Sequence, residues 1–592
     1  MLSKGVVKGM RRTKIVATVG PASDRPEVMV KLLQAGVNVF RLNFSHGTQE
    51  EHQKRIETIR ETARTVGRPV AIMIDLKGPE IRIGTFESGK IMLAEGDTFT
   101  VTTEQVVGTQ ERVWVQYPDI TKDVPVGGYL LLDDGNITLQ ALEVKPTEIK
   151  TRVIVGGALS DRKKINLPGV KVSLPAMSEK DVADIQFGVR MNVDFVAGSF
   201  IRKAADVLEI RRVIEEAGGN QHIISKIESQ EGYEDLEAIL QVSDGLMVAR
   251  GDLGVEVPTE EVPLMQKWMI ERCNQLGKPV ITATQMLESM VTKPRPTRAE
   301  ASDVANAIMD GTDAIMLSGE TAAGQFPVEA VRMMATIAQR TETALDYEGI
   351  MNKKRRTGTL DTVTEAISHA TVTTAIDLGA AAIVSATRSG FTARMVSKYR
   401  PACPIIAVTS DKAVARKLQL VWGVTAVVKE DSHDTDSLID RSVEGALESG
   451  IVKNGDLVVI TGGIPVGVQG STNLIKVHTV ADVIVKGTGI GRTPVTGRAR
   501  VVYSERDLNE VLDGDILVTR ATDMDYIPAL ERCGGIITEE GGLTSYAAVA
   551  GLSLGKPVIV GAKGATSRIM DGTIVTLDVQ HGIVLRGKAT VR

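Results

Sequence analysis

The feature that most constrains the fold is a series of short, β-branched apolar runs that alternate with segments of helical periodicity. Runs that are apolar on both faces are typical of parallel strands buried beneath helices. Eight such runs, joined by crossovers, predict a closed (β/α)8 barrel in the first ~340 residues. The predicted strands are Thr13–Gly20, Val37–Ser45, Val70–Lys77, Asp194–Phe200, His222–Glu228, Gly245–Asp252, Pro279–Gln285 and Ala314–Glu320.

One crossover is much longer than the others. Between Lys77 and Asp194 the chain alternates polar and apolar residues, is rich in valine and threonine, and contains turn sequences such as VGG and DDGN. This pattern is typical of short antiparallel strands joined by tight turns. We therefore predict a small all-β lid domain, a β-barrel at residues 79–174, inserted into a catalytic barrel that comprises residues 1–78 and 175–340.

Two further regions follow the barrel. The apolar runs IVSAT, PIIAVTS, TAVVKE, LVVITGG and IKVHTV alternate with helical segments and predict an open α/β domain at residues 341–485. The next segment, KGTGIGRTPVTG at 486–497, is rich in glycine and threonine, which favours a linker. Residues 486–592 are therefore expected to hold a linker and a separate C-terminal module of strands and glycine turns.

Composition argues against several classes of protein. The net charge is −5 and no basic stripe is present, so a nucleic-acid partner is not expected. The cysteines Cys273, Cys403 and Cys533 form no metal-binding spacing, which fits a reducing cytoplasmic setting. No ~20-residue apolar run predicts a membrane helix. With only 7 histidines, we expect the chemistry to depend on carboxylates, lysine and metal ions.

Polar and charged residues follow most of the predicted barrel strands. Active sites of (β/α)8 barrels lie at the carboxyl ends of the strands, so these side chains are expected to meet at one mouth. Buried charges are costly unless they are paired or bound to metal, which favours a binding site over solvated strand ends. The residues are Arg41, Asn43, Ser45 and His46 after the second strand, Asp75, Lys77, Glu80 and Arg82 after the third, Lys226 and Glu228 after the fifth, Arg250, Gly251 and Asp252 after the sixth, Thr284 after the seventh, and Ser318 and Glu320 after the eighth.

Two cation sites are predicted at this mouth. Glu228 and Asp252, on neighbouring strands, suit Mg²⁺, which takes one or two carboxylates together with substrate oxygens. Lys226 lies on the same face as Glu228 and is suited to stabilise a transferring phosphoryl group, although a simple Lys226–Glu228 salt bridge is the alternative.

A second set of oxygens carries less charge. Asn43, Ser45 and Asp75 together suit a monovalent cation, with ordinary turn chemistry as the alternative. Gly251 precedes a predicted helix and leaves backbone amides accessible to an anion. No GxxxxGK[ST] loop is present, so a P-loop ATPase is not expected.

Nine segments of the sequence, which include the mouth residues named above, resemble the pyruvate kinase family. The resemblance spans about residues 1–485 and implies transfer of the phosphoryl group of phosphoenolpyruvate to ADP, giving pyruvate and ATP in glycolysis. It also implies Mg²⁺ or Mn²⁺ and K⁺ as cofactors and a homotetramer. The matching segments are TKIVATVGPAS, RLNFSHG, DLKGPEIR, NLPGVKVSLPAMSEKD, SKIESQEG, MVARGDLGVE, ITATQMLESM, KPRPTRAEASDVANAIMDGTDAIMLSGETAAG and VSKYRP.

The resemblance implies a role for each mouth residue. Arg41 would bind the phosphoryl group, and Lys226 would stabilise it and the enolate that follows. The substrate carboxylate would lie on the backbone amides of Gly251 and Asp252. The other implied assignments are Thr284 beside the face where the enolate is protonated, Ser318 and Glu320 as relay groups, Glu228 and Asp252 for Mg²⁺, Asn43, Ser45, Asp75 and the Leu76 carbonyl for K⁺, and Asn43, His46, Arg82 and Lys180 for ADP.

Three finer expectations follow from the same resemblance. Glu80 is the residue that marks K⁺-dependent members of the family, so we expect K⁺ dependence. The inserted domain would close over the site and exclude water. The loop TRSGFT, with Thr387, Arg388, Ser389, Gly390 and Thr392, resembles the family's effector phosphate loop, with an ordinary strand-to-helix turn as the alternative.

The C-terminal segment GGLTSYAAVAGLSLGKPVIVG, at residues 541–561, resembles the swivelling phosphohistidine domain of PEP-utilising enzymes. In that family a histidine accepts the phosphoryl group, and here the position is Tyr546, whose phenol cannot act as a comparable reversible carrier. A structural or regulatory module is therefore expected, with a PEP-dependent phosphocarrier as the alternative. A catalytically silent metabolite sensor is the other alternative for the chain, but it predicts loss of Lys226, Glu228, Asp252 or Thr284, and all are present.

Overall fold

A closed barrel of eight parallel strands forms the first half of the protein, with the strands hydrogen-bonded in chain order. The computed structural model describes residues 10–357, 362–432, 434–464, 472–480 and 483–588. The predicted domains at the two ends reach residues 1 and 592, which lie outside the described residues. The barrel strands are β1 Lys14–Val19, β2 Val39–Asn43, β3 Ala71–Asp75, β4 Phe195–Gly198, β5 His222–Ile227, β6 Gly245–Ala249, β7 Val280–Ala283 and β8 Ala314–Leu317.

The predicted fold class is confirmed, and the observed strands are shorter than the predicted ones. Strand β5 ends before Glu228, and β6 ends before Asp252. Arg41 and Asn43 lie within β2, Asp75 ends β3 and Lys226 lies within β5, whereas Glu228 follows β5 and Asp252 lies in the short helix Arg250–Glu256 that follows β6. All of them lie toward the carboxyl ends of the strands, where barrel active sites are found.

The outer helices form because their apolar residues repeat at helical spacing between strong end signals. In Gln49–Val66, Thr48 and Glu51 form a capping box, and Gly67 ends the helix at φ 68°. Ile56 and Ile59 are buried on its inner face. The main barrel helices are Pro26–Ala35, Gln49–Val66, Glu179–Arg190, Ala204–Glu216, Leu236–Val242, Val262–Leu276, Arg298–Asp310 and Pro327–Glu342, with the shorter Gln230–Glu234, Arg250–Glu256 and Gly319–Ala322.

The lid domain is inserted between β3 and the helix Glu179–Arg190. It contains a six-stranded sheet, a two-stranded sheet and its own apolar core around Phe99 and Leu130. Its strands are Lys90–Leu93, Thr98–Thr102, Arg112–Trp114, Tyr129–Leu132, Ile137–Val144, Glu148–Val155, Gly157–Ser160 and Ile165–Asn166, with the helix Ile120–Asp123.

The α/β domain contains a five-stranded sheet in the order β11-β10-β9-β12-β13, with only β13 antiparallel to its neighbour. A turn of this domain inserts Leu420 among the inward-facing side chains of the barrel. Its strands are β9 Ala382–Ala386, β10 Ile405–Thr409, β11 Val424–Val428, β12 Leu457–Gly463 and β13 Thr472–Thr479, and its helices are Tyr347–Thr357, Val363–Asp377, Phe391–Ser397, Lys412–Lys417 and Thr435–Glu448.

The C-terminal module is built on an eight-stranded mixed sheet in the order β14-β21-β20-β16-β17-β18-β19-β15. Its strands are β14 Val483–Lys486, β15 Thr488–Ile490, β16 Val495–Val502, β17 Ile516–Thr519, β18 Gly535–Thr538, β19 Val558–Val560, β20 Ile574–Asp578 and β21 Ile583–Arg586. The helices are Ile527–Arg532, Tyr546–Leu554 and Ala565–Arg568.

The prediction of a linker at residues 486–497 is wrong. The segment holds the whole of β15 and the beginning of β16, which pair with β19 and β20. Its glycines serve close packing, since a Cβ on Gly487 would lie 2.5 Å from Val560 O and one on Gly489 would lie 1.9 Å from Val579 O. Glycine here marks the close approach of neighbouring backbones.

Among the described residues, no helix is both long and apolar enough to cross a bilayer.

The contact between the α/β domain and the barrel buries charged groups at the amino-terminal ends of the strands. Asp313, just before β8, accepts from Arg400 Nη1 at 3.0 Å, and Lys14 Nζ donates to Val424 O at 2.6 Å. Burial lowers the pKa of Lys14 from 10.5 to about 7, with nearby Arg11 adding to the effect. Lys14 therefore costs stability when it is charged.

We predict that Lys14→Met raises the melting temperature most at or below pH 7, by on the order of 2–4 °C per kcal/mol of desolvation removed. Between the folded pKa of about 7 and the unfolded value of 10.5, the unfolded chain binds a proton that the folded chain does not. The wild type therefore gains stability relative to the variant as the pH rises. Calorimetric scans of both proteins from about pH 6 to about pH 9 measure the difference between their melting temperatures. A difference that does not change with pH would contradict the prediction.

Candidate active site

A buried carboxylate, Asp75, lies between two cationic side chains at the mouth of the barrel. Arg41 Nε donates to Asp75 Oδ2 at 2.6 Å, and Lys226 Nζ lies 3.2 Å from Asp75 Oδ1. Arg41 also donates to Thr18 Oγ1 on β1 at 3.0 Å. Asp75 is 1% exposed, so the charges of β2, β3 and β5 meet in a site from which water is largely excluded.

The cationic side chains of Arg41 and Lys226 decide the protonation state of Asp75. Burial would raise the pKa of Asp75, but Arg41 and Lys226 outweigh it and hold that pKa below its ordinary value. Burial would lower the pKa of Lys226, but Asp75 and Glu228 outweigh it and raise that pKa. The site therefore holds an ionised carboxylate and a charged ammonium group near neutral pH.

Glu228 and Asp252 lie next to this cluster and are close enough to affect each other's pKa. Glu228 Oε1 is 3.1 Å from Lys226 Nζ, and Glu228 Oε2 accepts from Phe200 N at 2.6 Å. Burial raises the pKa of Glu228, whereas Lys164, which pairs with Asp252, outweighs burial and lowers the pKa of Asp252. Two adjacent carboxylates, one buried at Glu228 and one half-buried at Asp252, fit a hard divalent cation.

Within the described part of the chain, no group of three or more His, Cys, Asp or Glu side chains is arranged to hold a metal ion. A cation bound by Glu228 and Asp252 would therefore take its other ligands from substrate oxygens or water, as Mg²⁺ usually does.

We call the oxygens of Asn43, Ser45, Asp75 and the Leu76 carbonyl the potassium cradle, after the cation that the sequence predicts for them. Asn43 pairs with Asp75 in the register of β2 and β3, and its Oδ1 accepts from Ser45 N at 3.1 Å. The Leu76 carbonyl faces Ser199 Oγ at 2.7 Å. One carboxylate among neutral oxygens fits a monovalent cation, and the Leu76 side chain is buried.

Thr284 holds a conformation that β-branched residues rarely adopt, with φ 67°. Its Oγ1 accepts from Gly251 N at 2.8 Å, which ties the end of β7 to the amide predicted to bind the substrate carboxylate. Arg250 donates to Thr284 O at 2.7 Å and to Asp303 at 2.7 Å, so it braces the same turn. Strained residues of this kind cluster at functional sites.

Ser318 and Glu320 lie after β8 and are engaged with backbone groups. Glu320 accepts from Leu287 N at 3.0 Å and from Ser318 N at 2.7 Å. Burial raises the pKa of Glu320, which is 1% exposed. In this structure the carboxyl group joins the loops that follow β7 and β8.

The residues expected on the ADP side fall into two groups. Lys180 donates to Phe44 O at 2.8 Å, so it lies beside the loop that follows Asn43 and carries the exposed His46. Arg82 lies at the base of the lid and pairs with Glu80 at 2.7 Å.

Two residues that the sequence did not single out belong to the site. Ser199, after β4, contacts Lys226 Nζ at 2.7 Å, and Lys164 of the lid pairs with Asp252 and lies 4.5 Å from the centre of the Phe200 ring. Ser199 could have been found from its position near the carboxyl end of the predicted strand Asp194–Phe200, but it carries no charge. Lys164 gives no such signal, because its place depends on how the lid packs.

The predicted effector loop follows β9. Gly390 has φ 80° and precedes the helix Phe391–Ser397, and Thr392 Oγ1 lies 2.8 Å from Thr472 Oγ1. Thr387 N donates to Val408 O at 3.0 Å, Arg388 is exposed and Ser389 is half-buried.

In the C-terminal module, Tyr546 is the first residue of the helix Tyr546–Leu554.

The barrel, its charged mouth and the inserted lid define a barrel enzyme of the phosphotransferase class. Family models match three parts of the chain: the pyruvate kinase barrel domain at residues 10–331, the pyruvate kinase alpha/beta domain at 365–478, and the mobile domain of PEP-utilising enzymes at 511–582. The chain belongs to the pyruvate kinase family, and the resemblance found in the sequence is confirmed.

Individual relatives agree with this assignment. The chain is 55% identical over 585 residues to a pyruvate kinase of Geobacillus stearothermophilus, covering 98% of this chain and 100% of the relative. It is 52% identical over 586 residues to a pyruvate kinase of Bacillus licheniformis, with the same coverage. The crystal structure of a pyruvate kinase from Cryptosporidium parvum matches with a TM-score of 0.76 and 41% identity, covering 79% of this chain and 96% of that chain.

Metal binding by the carboxylates of Glu228 and Asp252 can be measured without turnover. Glu228→Gln should weaken Mn²⁺ binding by at least about 10- to 100-fold, the loss usual even for residues that only support metal ligands. Free Mn²⁺ counted by electron paramagnetic resonance during titration measures the affinity. Glu231→Gln, which removes a carboxylate three residues further along the chain, is the matched control and should bind as the wild type does. Equal affinity in Glu228→Gln and wild type would rule out this metal site.

Proposed function

We propose that the protein is a pyruvate kinase, which transfers the phosphoryl group of phosphoenolpyruvate to ADP and so produces pyruvate and ATP. The observation that carries the proposal is the cluster of Arg41, Lys226 and Asp75 beside the carboxylates of Glu228 and Asp252. Full-length similarity to pyruvate kinases supports the same reaction. The silent sensor is disfavoured because the charged groups that the reaction needs are held together.

Arg41 and Lys226 would bind the phosphoryl group from two neighbouring sides. Both cations are held by Asp75, so they are oriented before the substrate arrives and little reorganisation is needed as charge moves. The raised pKa of Lys226 keeps its ammonium charged while the enolate forms. When bound at Glu228 and Asp252, Mg²⁺ or Mn²⁺ would supply further positive charge at the phosphoryl and enolate oxygens.

Protonation of the enolate would occur on the side of Thr284. Its hydroxyl donates to Ala283 O at 2.6 Å and accepts from Gly251 N, so the side chain has a fixed direction. Ser318 and Glu320 would act as relay groups on the same side of the site. On closure, the lid with Lys164 would exclude water from the transferring group.

The remaining assignments are proposals drawn from the family. Asn43, His46, Arg82 and Lys180 would contact ADP, and the potassium cradle would hold K⁺. The loop of Thr387, Arg388, Ser389, Gly390 and Thr392 would bind a phosphorylated effector, and the chain would assemble as a homotetramer. A cytoplasmic setting fits a glycolytic role.

The purified full chain should convert phosphoenolpyruvate and ADP to pyruvate, measured by coupling pyruvate to lactate dehydrogenase. Activity should require K⁺, because Asp75 with neutral oxygens offers a monovalent cation site next to the phosphoryl position. Replacing K⁺ and Na⁺ by a bulky organic cation should reduce the rate at least about tenfold, the scale of one lost electrostatic contact. Full activity in that buffer would contradict K⁺ dependence. No activity with Mg²⁺ and K⁺ both present would contradict the proposed function.

The C-terminal module should carry no phosphoryl group, because a phenol at Tyr546 replaces the imidazole. Incubation with ³²P-labelled phosphoenolpyruvate followed by proteolysis should leave residues 541–561 unlabelled, with Tyr546→His as the comparison. Label on the wild-type module would instead support a phosphocarrier.

A chain truncated before Val483 tests the structural or regulatory alternative, since unchanged assembly and unchanged effector response would exclude both roles.

A further inference from the structure

We propose that Ser199 is a positioning residue whose single hydroxyl fixes Lys226 and joins it to the potassium cradle. The inference rests on the proposed function, because it gives Ser199 a task in the reaction that Lys226 serves. Ser199 follows β4 directly and is 4% exposed. It bears no charge and lies among the residues that carry the charge of the site.

The Ser199 hydroxyl has a defined direction. Its Oγ lies 2.7 Å from Leu76 O and 2.7 Å from Lys226 Nζ, and 3.3 Å from Asp75 Oδ1. A hydroxyl has one hydrogen to donate and two lone pairs. The Leu76 carbonyl is the nearer acceptor, and the ammonium group of Lys226 can only donate. The hydrogen therefore points to Leu76, and a lone pair points to Lys226.

The ammonium group of Lys226 is held from three sides. Its Nζ lies 2.7 Å from Ser199 Oγ, 3.1 Å from Glu228 Oε1 and 3.2 Å from Asp75 Oδ1. These three acceptors match the three N–H groups of an ammonium ion. Two carboxylates alone would leave the nitrogen free to move around the line that joins them, so the third acceptor fixes its place. Because Ser199 is neutral, it does this without cancelling charge that the phosphoryl group needs.

The backbone around Ser199 limits where its side chain can go. Gly78 has φ 70°, and a Cβ there would lie 2.9 Å from Ser199 Cβ and 2.9 Å from Phe200 Cδ2. The loop after β3 is therefore packed directly on residues 199 and 200. Phe200, at φ 55°, donates its N–H to Glu228. One short segment thus places Lys226 through a side chain and Glu228 through the backbone.

The Leu76 carbonyl is the link to the cradle. A carbonyl oxygen has two lone pairs, so it can accept from Ser199 and still face a cation. Any shift of this carbonyl changes the direction of the Ser199 hydroxyl, and with it the position of the Lys226 ammonium group. We therefore expect cation binding at the cradle and the placement of Lys226 to depend on the same hydroxyl.

The test compares Ser199→Ala, Ser199→Thr and Ser225→Ala in the full-length protein. Ser199→Ala should lower kcat by about 10- to 100-fold, the scale of a displaced catalytic group. The KM for phosphoenolpyruvate should change by less than about threefold, since contacts made only in the transition state affect kcat. Ser199→Thr restores the hydroxyl and should recover most of the rate. Ser225 is a buried serine on the opposite face of β5, 2.6 Å from Ser243 Oγ, and its alanine variant should match the wild type.

The second readout does not depend on turnover. K⁺ should raise the melting temperature of the wild type, and the K⁺ concentration that gives half of this rise should increase several-fold in Ser199→Ala and stay unchanged in Ser225→Ala. Wild-type kcat in Ser199→Ala, or an equal loss in Ser225→Ala, would overturn the inference. A lower kcat with an unchanged K⁺ midpoint would overturn the link to the cradle. A wild type that does not respond to K⁺ would instead refute the proposed K⁺ site, and kcat would still decide the role of Ser199.

Discussion

The site depends on one buried carboxylate that two cations share. Asp75 accepts from Arg41 on one oxygen and faces Lys226 on the other, and this arrangement keeps all three groups charged in a place where each alone would be costly. The three residues come from β2, β3 and β5, and β4 lies between β3 and β5, so these four strands must pair before the cluster can form. The geometry of this cluster, where we propose that the phosphoryl group binds, is therefore a direct product of the fold.

The two ends of the barrel have separate tasks. At the amino-terminal end, Leu420 and the charged contacts of Asp313 and Lys14 attach the α/β domain and bear on stability. At the carboxyl end, loops of unusual conformation, such as the turn at Thr284, carry polar groups of the proposed substrate site. This division agrees with the general rule that barrel enzymes place chemistry at the carboxyl ends of their strands. Changes in one end can therefore be studied with limited effect on the other.

Periodicity and strand-end chemistry allowed the barrel and its mouth to be predicted from the sequence, because both depend on local residue patterns. The pairing of Arg41 and Lys226 on Asp75 was not predicted, since Asp75 was assigned only to the potassium cradle. Ser199 was missed because a neutral serine does not stand out among charged strand ends, and Lys164 because its place depends on lid packing. The glycines at 487 and 489 were misread as flexibility, because close backbone contact cannot be seen in sequence.

The central claim is that the ammonium group of Lys226, held by Asp75, Glu228 and Ser199, stabilises the phosphoryl group during transfer. The most direct test is the rate of ATP formation by the wild type and by Lys226→Met at saturating phosphoenolpyruvate, ADP, Mg²⁺ and K⁺. We predict a fall of about 10²-fold or more, the loss expected when one electrostatic group is removed from a transition state. Turnover equal to that of the wild type would contradict the claim.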